Sequence, residues 1–408
     1  MNPSSSQLLK FVGRQPVMAA SPPLAATAPR PAALPVPARP DRLTVLVLEG
    51  EYRLTGAELL CLSRQPGVRV HLLTRDARSP YRFSSCVRTA YVAPANLPDA
   101  SLATFAGEVA AATGAEVLLP VDVEGMRFAI AHREALEAVV RVLPLPSAAA
   151  YEVAADKSLL AAFMRRHGVP GPPTLTDIRH NLAGQLAGLR FPVLLKPTDG
   201  AGGQGIVLFQ EAAGLLAHVA TLPPGGQYIV QTYLEGYDID CNVLCRNGQV
   251  LAHSIQRGLL GAATDYAPTQ AIEFVRNRAV LAVVSQLLAA LRWSGVAHLD
   301  LRYDAATRQV NVIEINPRFW LTVVGSAVKA RVNFPVLACL AALGRPLEQG
   351  PFALGRYIPF VNFLKYKYAS RAKNKVPFTF GDTSLLGFLG DPLPKLICLL
   401  RPGQVRME

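Results

Sequence analysis

Lys196 is followed at once by a loop rich in glycine, at positions 200, 202, 203 and 205, and apolar runs stand on either side of the set. Glycine accepts φ > 0 and leaves its amide unscreened, so several backbone N–H groups of such a loop can turn toward the oxygens of one phosphate group. Lys196 adds a countercharge at the loop's stem. The runs at 192–196 and 206–209 are short, bulky or β-branched, and bounded by Gly and Pro, which predicts strand, loop, strand. The loop is then the tip of a hairpin that presents amides and one lysine to a polyphosphate.

Two other phosphate-binding patterns share part of this spelling. Gly200-x-Gly202-x-x-Gly205 fits a dinucleotide fingerprint, but that loop opens a helix and is followed by an acidic residue some 20 positions on. Here Ile206 to Phe209 continue as a strand and Glu211 comes too early. A kinase pattern is mimicked by Val207 and by His298-Leu299-Asp300-Leu301, yet a kinase lysine follows its glycine loop, and Ala305 stands where the second metal ligand belongs. For the loop alone, a flexible hairpin with a solvated lysine stays level with phosphate binding.

A second group of residues decides between them. Val296 to Tyr303 and Val310 to Asn316 are strand-like runs joined by the polar turn 304–309, so they predict an antiparallel hairpin. Pairing about that turn is read as setting Asp300 opposite Glu314, with Asn316 on the same face as Glu314 by the period of two. Two carboxylates so close in a half-buried sheet repel and lose solvation unless a cation lies between them. A hard divalent ion held by one or two carboxylates and nucleotide phosphates resolves the conflict. The position of Glu314 inside Val-Ile-Glu-Ile argues against a merely solvated polar face.

With both groups in place the chain resembles the ATP-grasp superfamily, and within it the carboxylate-amine ligase branch, alongside carbamoyl-phosphate-synthase-like and D-alanine-D-alanine-ligase-like proteins. The resemblance runs from about Leu43 to Leu343. Its motifs stand in the family's order: Asp156-Lys157, Leu195-Lys196-Pro197, the glycine hairpin, a hinge from Val230 to Asp238, Asp300, and Glu314-Ile-Asn-Pro-Arg318. The resemblance implies that Lys157, Lys196, Gly200, Gly202, Gly203 and Gly205 contact ATP phosphates. It implies that Gln231, Thr232, Tyr233 and Leu234 hold the adenine, largely through backbone, and that Asp238 takes the ribose. Asp300, Glu314 and Asn316 would carry Mg²⁺, with Mn²⁺ able to replace it, and Arg318, with Lys196, would act on the reacting acid or the transferred phosphate. Gln231 and Asp238 both stand where many members have Glu. The implied activity joins a carboxylate, activated as an acyl phosphate with release of ADP, to an amine. A bicarbonate or phosphoryl acceptor, and a regulatory module that only binds ATP, are the alternatives.

These residues need elements to hold them. From Leu43, strand-like and helix-like segments alternate: 44–48, 56–64, 68–73, 102–112, 116–120 and 124–140. That order predicts a Rossmann-like open parallel sheet over 42–150, placed before an ATP-grasp fold of α+β lobes. The turn Val121 to Glu124 ends a strand of that sheet, where α/β sheets usually contact ligands. Residues 147–166 read as one helix carrying Lys157. The ATP-grasp part spans 151–346, with a lid at about 170–226, the hinge at 230–238 and a metal-binding lobe at 239–346. Arg246-Asn247-Gly248 marks a tight hairpin, and Gly258 to Ala267 reads as a loop beside Arg257 and Glu273. His298 reads as a structural histidine that could assist chemistry.

Composition bounds the rest. The chain has 408 residues, 50% hydrophobic and 17% charged, enough for two or three cored domains. The first 40 residues hold nine prolines and no acidic residue, which predicts a disordered arm. The net charge of +12 divides into +4 in that arm and +6 in 353–408, leaving +2 for the body, so no nucleic-acid surface is expected. The basic, aromatic extension 347–408 either packs on its own domain or touches an anionic membrane weakly through 353–408. Six cysteines without metal or CxxC spacing read as reduced apolar residues of a cytoplasmic protein. Small-molecule carboxylate and amine partners follow from the resemblance, and a homodimer stays open.

Overall fold

The computed structural model describes residues 42–94, 96–199, 203–223, 227–260, 269–369 and 376–400. Gly200 and Gly202, the arm 1–41 and most of the loop 258–267 therefore lie outside the described residues.

β1 (Leu43–Leu48), α1 (Tyr52–Ser63), β2 (Val68–Thr74), β3 (Thr89–Val92), α2 (Asp99–Thr113), β4 (Val117–Pro120), α3 (Val123–Ala131), α4 (Arg133–Glu137) and β5 (Arg141–Val142) build the first layer. Their strands form a parallel sheet in the order β3-β2-β1-β4-β5. Val45, Leu46 and Val47 are all fully buried, because a parallel sheet covered on both faces reads as a continuous apolar run. Two expected helices are each broken by one residue. The helix expected over 124–140 breaks at His132. The one expected over 147–166 becomes α5 (Ala148–Ala155) and α6 (Lys157–Arg166). Between them Asp156 is extended, and its carboxylate accepts from the Leu159 amide at 2.8 Å. That capping bond starts a new helix instead of continuing the old one.

The second sheet is small and antiparallel: β6 (Thr174–Leu175), β7 (Val193–Pro197), β8 (Val207–Phe209) and β9 (Tyr228–Thr232), ordered β6-β9-β7-β8. α7 (Leu182–Leu186) and α8 (Ala212–Val219) enclose a separate apolar cluster around Val193, Leu195, Leu215 and Val230. Val193 pairs with Phe209 and Leu195 with Val207, so the glycine hairpin forms as expected.

The third sheet is the largest. β10 (Tyr237–Arg246), β11 (Gln249–Leu260), β12 (Ala271–Phe274), β13 (Gly295–Tyr303), β14 (Val310–Asn316) and β15 (Gly355–Tyr357) pair antiparallel in the order β14-β13-β10-β11-β12-β15. Asn247 and Gly248, with φ of 50° and 83°, make the two-residue turn between β10 and β11. One face is apolar, with Ile239, Cys241, Val243, Leu299 and Ile315 buried, and packs on α9 (Arg278–Ala290) and on α11 (Phe334–Ala342), which follows the short α10 (Val323–Gly325). This core is continuous with that of the parallel sheet. Cys61, Cys241, Cys245 and Cys339 are buried and unpaired. α12 (Phe360–Ala369), α13 (Leu385–Gly390) and α14 (Leu393–Leu400) follow. Among the described residues no single helix is long and apolar enough to cross a membrane.

Candidate active site

The other face of the large sheet is polar, and its register sets side chains in rows across four strands. Gln256, Asp240, Asp300 and Glu314 are successive cross-strand neighbours, and Ser254, Asn242, His298 and Asn316 form the next row. A period of two along each strand generates both rows while the alternate residues fill the core. With the small sheet and the hinge, Gln256, Asp240, Asp300, Glu314, His298 and Asn316 of these rows line a cleft of about 320 Å³ that also contains Lys196, Gly203, Tyr233, Leu234, Asp238, Arg302 and Arg318.

Asp300 does face Glu314, but by a route unlike simple pairing about the turn. Tyr303 pairs with Val310 and Leu301 with Val312, so plain continuation would set Ile313 against Asp300. A bulge between Asp300 and Leu301 inserts one extra residue on β14 and brings Glu314 into register. Ile313 and Glu314 both line the cleft as a result.

The charges around this pair interlock. Asn316 donates from Nδ2 to Asp300 Oδ2 at 3.2 Å and to Glu314 Oε1 at 3.4 Å. Lys157 Nζ lies 3.3 Å from Glu314 Oε2, placed there by its position at the start of α6, where its own amide donates to the Thr198 carbonyl at 3.1 Å. Burial and the facing Asp300 hold the Glu314 carboxyl above its ordinary range, against the pull of Lys157. Lys196 is 5% exposed and donates to Gln231 Oε1 at 2.7 Å; burial lowers its ammonium to about 8, with Glu314 opposing.

His298 is tied into the lower row. Asn242 directs both amide hydrogens to Ser254 Oγ and Gln256 Oε1, each at 3.1 Å, so its oxygen faces His298 Nδ1 at 2.6 Å and that nitrogen carries a hydrogen. Nε2 then lies 2.8 Å from Asp300 Oδ1. Burial opposes charge on the ring, but Asp300 outweighs it and raises the imidazole; burial would raise Asp300, but His298 outweighs it and holds the carboxyl low. Each group thus favours the charged form of the other. The neighbouring Asp240, which accepts from Gln256 Nε2 at 3.0 Å, is pushed up to about 7 by burial, with His298 opposing and Asp300 adding.

The hinge is bonded to its own lobe at several points. The amides of Thr232 and Tyr233 donate to the carbonyls of Pro173 and Pro192, both at 2.9 Å, so they serve the lobe's own structure. Asp238 accepts from Arg302 Nη1 at 2.7 Å, while the same guanidinium donates to the Leu234 carbonyl at 3.0 Å and the Tyr233 hydroxyl at 3.0 Å. Thr232 Oγ1 is buried without a hydrogen-bond partner among the described residues. Arg318 donates to the Phe319 carbonyl at 2.6 Å and to Asn316 Oδ1 at 3.4 Å. Gly205, with φ of 71°, brings the hairpin's return strand so close that a Cβ would meet Pro197 at 2.9 Å.

The structure therefore gathers Lys157, Lys196, Gly203, Gln231 to Leu234, Asp238, Asp300, Glu314, Asn316 and Arg318 around one cleft. Sequence reasoning missed Asp240, Asn242, Gln256 and Arg302. The signal was present: polar 238, 240 and 242 alternate with apolar 239, 241 and 243. Two facing carboxylates with adjacent lysines suit a hard divalent cation with polyphosphate.

Residues 154–322 match the ATP-grasp domain family. Among curated proteins, the arginine-specific carbamoyl phosphate synthase large chain of Lactiplantibacillus plantarum is 22% identical over 348 residues, covering 78% of this chain and 32% of that protein. A carbamoyl phosphate synthase large chain from Thermus thermophilus is 26% identical over 230 residues, covering 52% and 22%. The chain thus spans a third or less of these curated relatives. Among solved structures, N5-carboxyaminoimidazole synthetase of Staphylococcus aureus complexed with ADP superposes with a TM-score of 0.58 at 14% identity, covering 77% of this chain and 79% of that one. The biotin carboxylase domain of Hydrogenobacter thermophilus 2-oxoglutarate carboxylase, solved with MgADP, ADP and bicarbonate, gives 0.57 at 18%, covering 76% and 71%. An L-amino acid ligase of Bacillus licheniformis gives 0.55 at 16%, covering 74% of each.

Proposed function

We propose, for a chain whose residues 154–322 carry an ATP-grasp domain, an ATP-dependent ligase that activates a carboxylate as an acyl phosphate and joins it to an amine. The observation that carries this reading is the facing pair Asp300 and Glu314, flanked by Asn316, Lys157 and Arg318 at the floor of the cleft. Asp300, Glu314 and Asn316 would hold Mg²⁺, or Mn²⁺, which when bound neutralises phosphate charge. A pure ATP-binding module has no need of two carboxylates held at the cost of their mutual repulsion.

In this reading the hinge 230–238 receives the nucleotide, with Gln231 and Lys196 positioned as one hydrogen-bonded unit and Arg302 fixing the hinge by three bonds. Lys157, Lys196 and the glycine hairpin bind the phosphates, and Gly200 and Gly202 belong to the same loop. A substrate carboxylate oxygen attacks the γ-phosphorus while the bridging oxygen leaves with ADP. The amine nitrogen then attacks the acyl carbon and inorganic phosphate departs. Arg318 contacts the reacting acid or the transferring phosphoryl group. Positioning and electrostatics supply most of the catalysis in such transfers.

Bicarbonate as the acid is the second reading, favoured by the carbamoyl phosphate synthase relatives and by a neighbour solved with bicarbonate. Nucleotide analysis over a panel of carboxylates, bicarbonate included, each with and without amines, tests both. The expected product is ADP, with slow phosphate release on the acid alone and faster release, matched one to one by amide, when the right amine is added. Arg318→Ala should keep ATP binding and lose most of this rate. AMP as the product, or ATP binding without turnover across the panel, sinks the ligase reading.

A further inference from the structure

The five leucines 386, 389, 393, 396 and 400 recur at spacings of three and four across α13 and α14, and all face solvent, with exposures of 75, 62, 49, 51 and 81%. The tail packs on its own domain through the opposite side of these helices, which leaves the stripe outward. Asp391, between them, accepts from Ser84 Oγ at 2.5 Å and from the Ser85 amide at 2.9 Å, and Ser85 Oγ donates to the Gly390 carbonyl at 2.8 Å. On the inner side Gly387 sits so near Leu60 that a Cβ would meet its side chain at 2.4 Å, and α14 packs on the turn 80–83.

A helix that carries exposed lysines packs beside the stripe. Phe360 of α12 packs on Phe388 of α13, with ring centres 5.2 Å apart, so α12 lies beside the leucines and contributes exposed Lys365 and Lys367. Lys395 lies 4.4 Å over the Phe388 ring. Residues 353–408 hold nine basic and three acidic side chains. The two acidic ones within the described residues are engaged internally, Asp391 with the serines and Asp382 with Lys329 at 3.1 Å and with Thr379. The net charge of this segment is therefore positive, and exposed Lys365 and Lys367 carry part of it.

We propose that this face, the leucine stripe of α13 and α14 with the lysines of α12, docks on an anionic lipid bilayer surface. A large apolar stripe beside a lysine-bearing helix, on helices too short to span, is the composition of an interfacial element. Charge selects the occupant. A second copy meeting this patch through a two-fold axis would set the same basic surface against itself. The arm 1–40 carries four basic residues and no acidic one, so it too is repelled. Anionic headgroups attract the lysines while the acyl boundary accepts the leucines.

Co-sedimentation of the full chain with phosphatidylcholine vesicles containing about 30 mol % phosphatidylglycerol tests this, against vesicles of phosphatidylcholine alone. Binding at about 0.1 M NaCl should fall at least about tenfold at 0.5 M NaCl, and be as weak on the uncharged vesicles. Leu389→Ser/Leu396→Ser/Leu400→Ser should lose about tenfold in binding with an unchanged thermal midpoint, since these side chains are exposed. Lys365→Gln/Lys367→Gln should bind less and respond less to salt. Failure of the wild-type chain to bind anionic vesicles, or equal binding by the leucine variant, overturns the proposal. A dimer in sedimentation velocity that the leucine variant abolishes, with no lipid binding by either, assigns the face to a second copy instead.

Discussion

The central strand of the parallel sheet and a central strand of the large antiparallel sheet treat polar residues in opposite ways. In β1 every residue from Leu43 to Leu48 is apolar except Thr44, and polarity begins only past the strand's end, at Glu49. In β10 polarity alternates: Asp238 and Asp240 face the cleft and Asn242 lies buried on the same side beneath His298, while Ile239, Cys241 and Val243 face the core. The cause is coverage. β1 is the central strand of the parallel sheet and is covered on both faces, so an ionised group within it would have to be desolvated without a partner. The antiparallel sheet keeps one face for the cleft, and there chemistry can be laid along the strand itself.

The largest effect expected of this contrast is on the polar face. Glu314→Gln removes one of two facing carboxylates and is nearly isosteric, so turnover should fall by a factor of about 10³ or more, or roughly 4 kcal/mol of transition-state stabilisation. The unliganded protein should be no less stable, because the repulsion with Asp300 is relieved. Steady-state rates beside thermal melts read both quantities. Turnover at the wild-type level would mean that Glu314 is not a ligand.

How much of this was legible follows from which forces the amino-acid text records. The hairpin around the glycines and the turn at Asn247-Gly248 were readable, because turn chemistry and period-two patterning are local. The facing of Asp300 and Glu314 was expected, yet the bulge that achieves it was not, since Ile313 is as good a strand residue as its neighbours and nothing marks it as the extra one. The breaks at His132 and Asp156 were hidden for a similar reason: the apolar period runs on across them. β3 was overlooked because a short edge strand with half-exposed residues lacks the apolar run that marked β1 and β2. Arg302 escaped because its role depends on Asp238, Tyr233 and the Leu234 carbonyl meeting in space.

The apolar side of the contrast predicts a stability effect without a catalytic one. Leu46, fully buried in the middle of β1, should cost about 2–5 kcal/mol when truncated to alanine, through lost burial and the cavity left behind. Denaturant unfolding measures this, and the KM and kcat of the folded fraction should stay close to wild type. A specific loss of kcat at unchanged stability would mean that the interior of the parallel sheet reaches the chemistry, and the division between the two sheets would fail.

Glu58 is the test case that the contrast must survive, because it is a carboxylate within the covered layer. It lies on α1, 0% exposed, and neither carboxylate oxygen has a hydrogen-bond partner among the described residues. Burial alone pushes its carboxyl well above the ordinary 4.5, so the folded protein keeps a proton that the unfolded chain gives up. The sign follows: the contribution to stability is fully present below the unfolded value and is lost as pH rises, at up to about 1.4 kcal/mol per pH unit until the folded group ionises. Nothing in the cleft touches it, so it is a structural liability and not a part of the site. Glu58→Met, of similar length and helix preference, should raise stability by about 1–3 kcal/mol near neutral pH, the usual cost of a buried unsatisfied polar group. The gain should be larger at pH 8 than at pH 5, because only the wild type bears the rising cost of protonation. Urea unfolding of both proteins at the two pH values measures the difference. Equal slopes with pH would show that Glu58 is hydrated or paired in the folded state, and a gain in stability with a loss of turnover would make it part of the functional machinery.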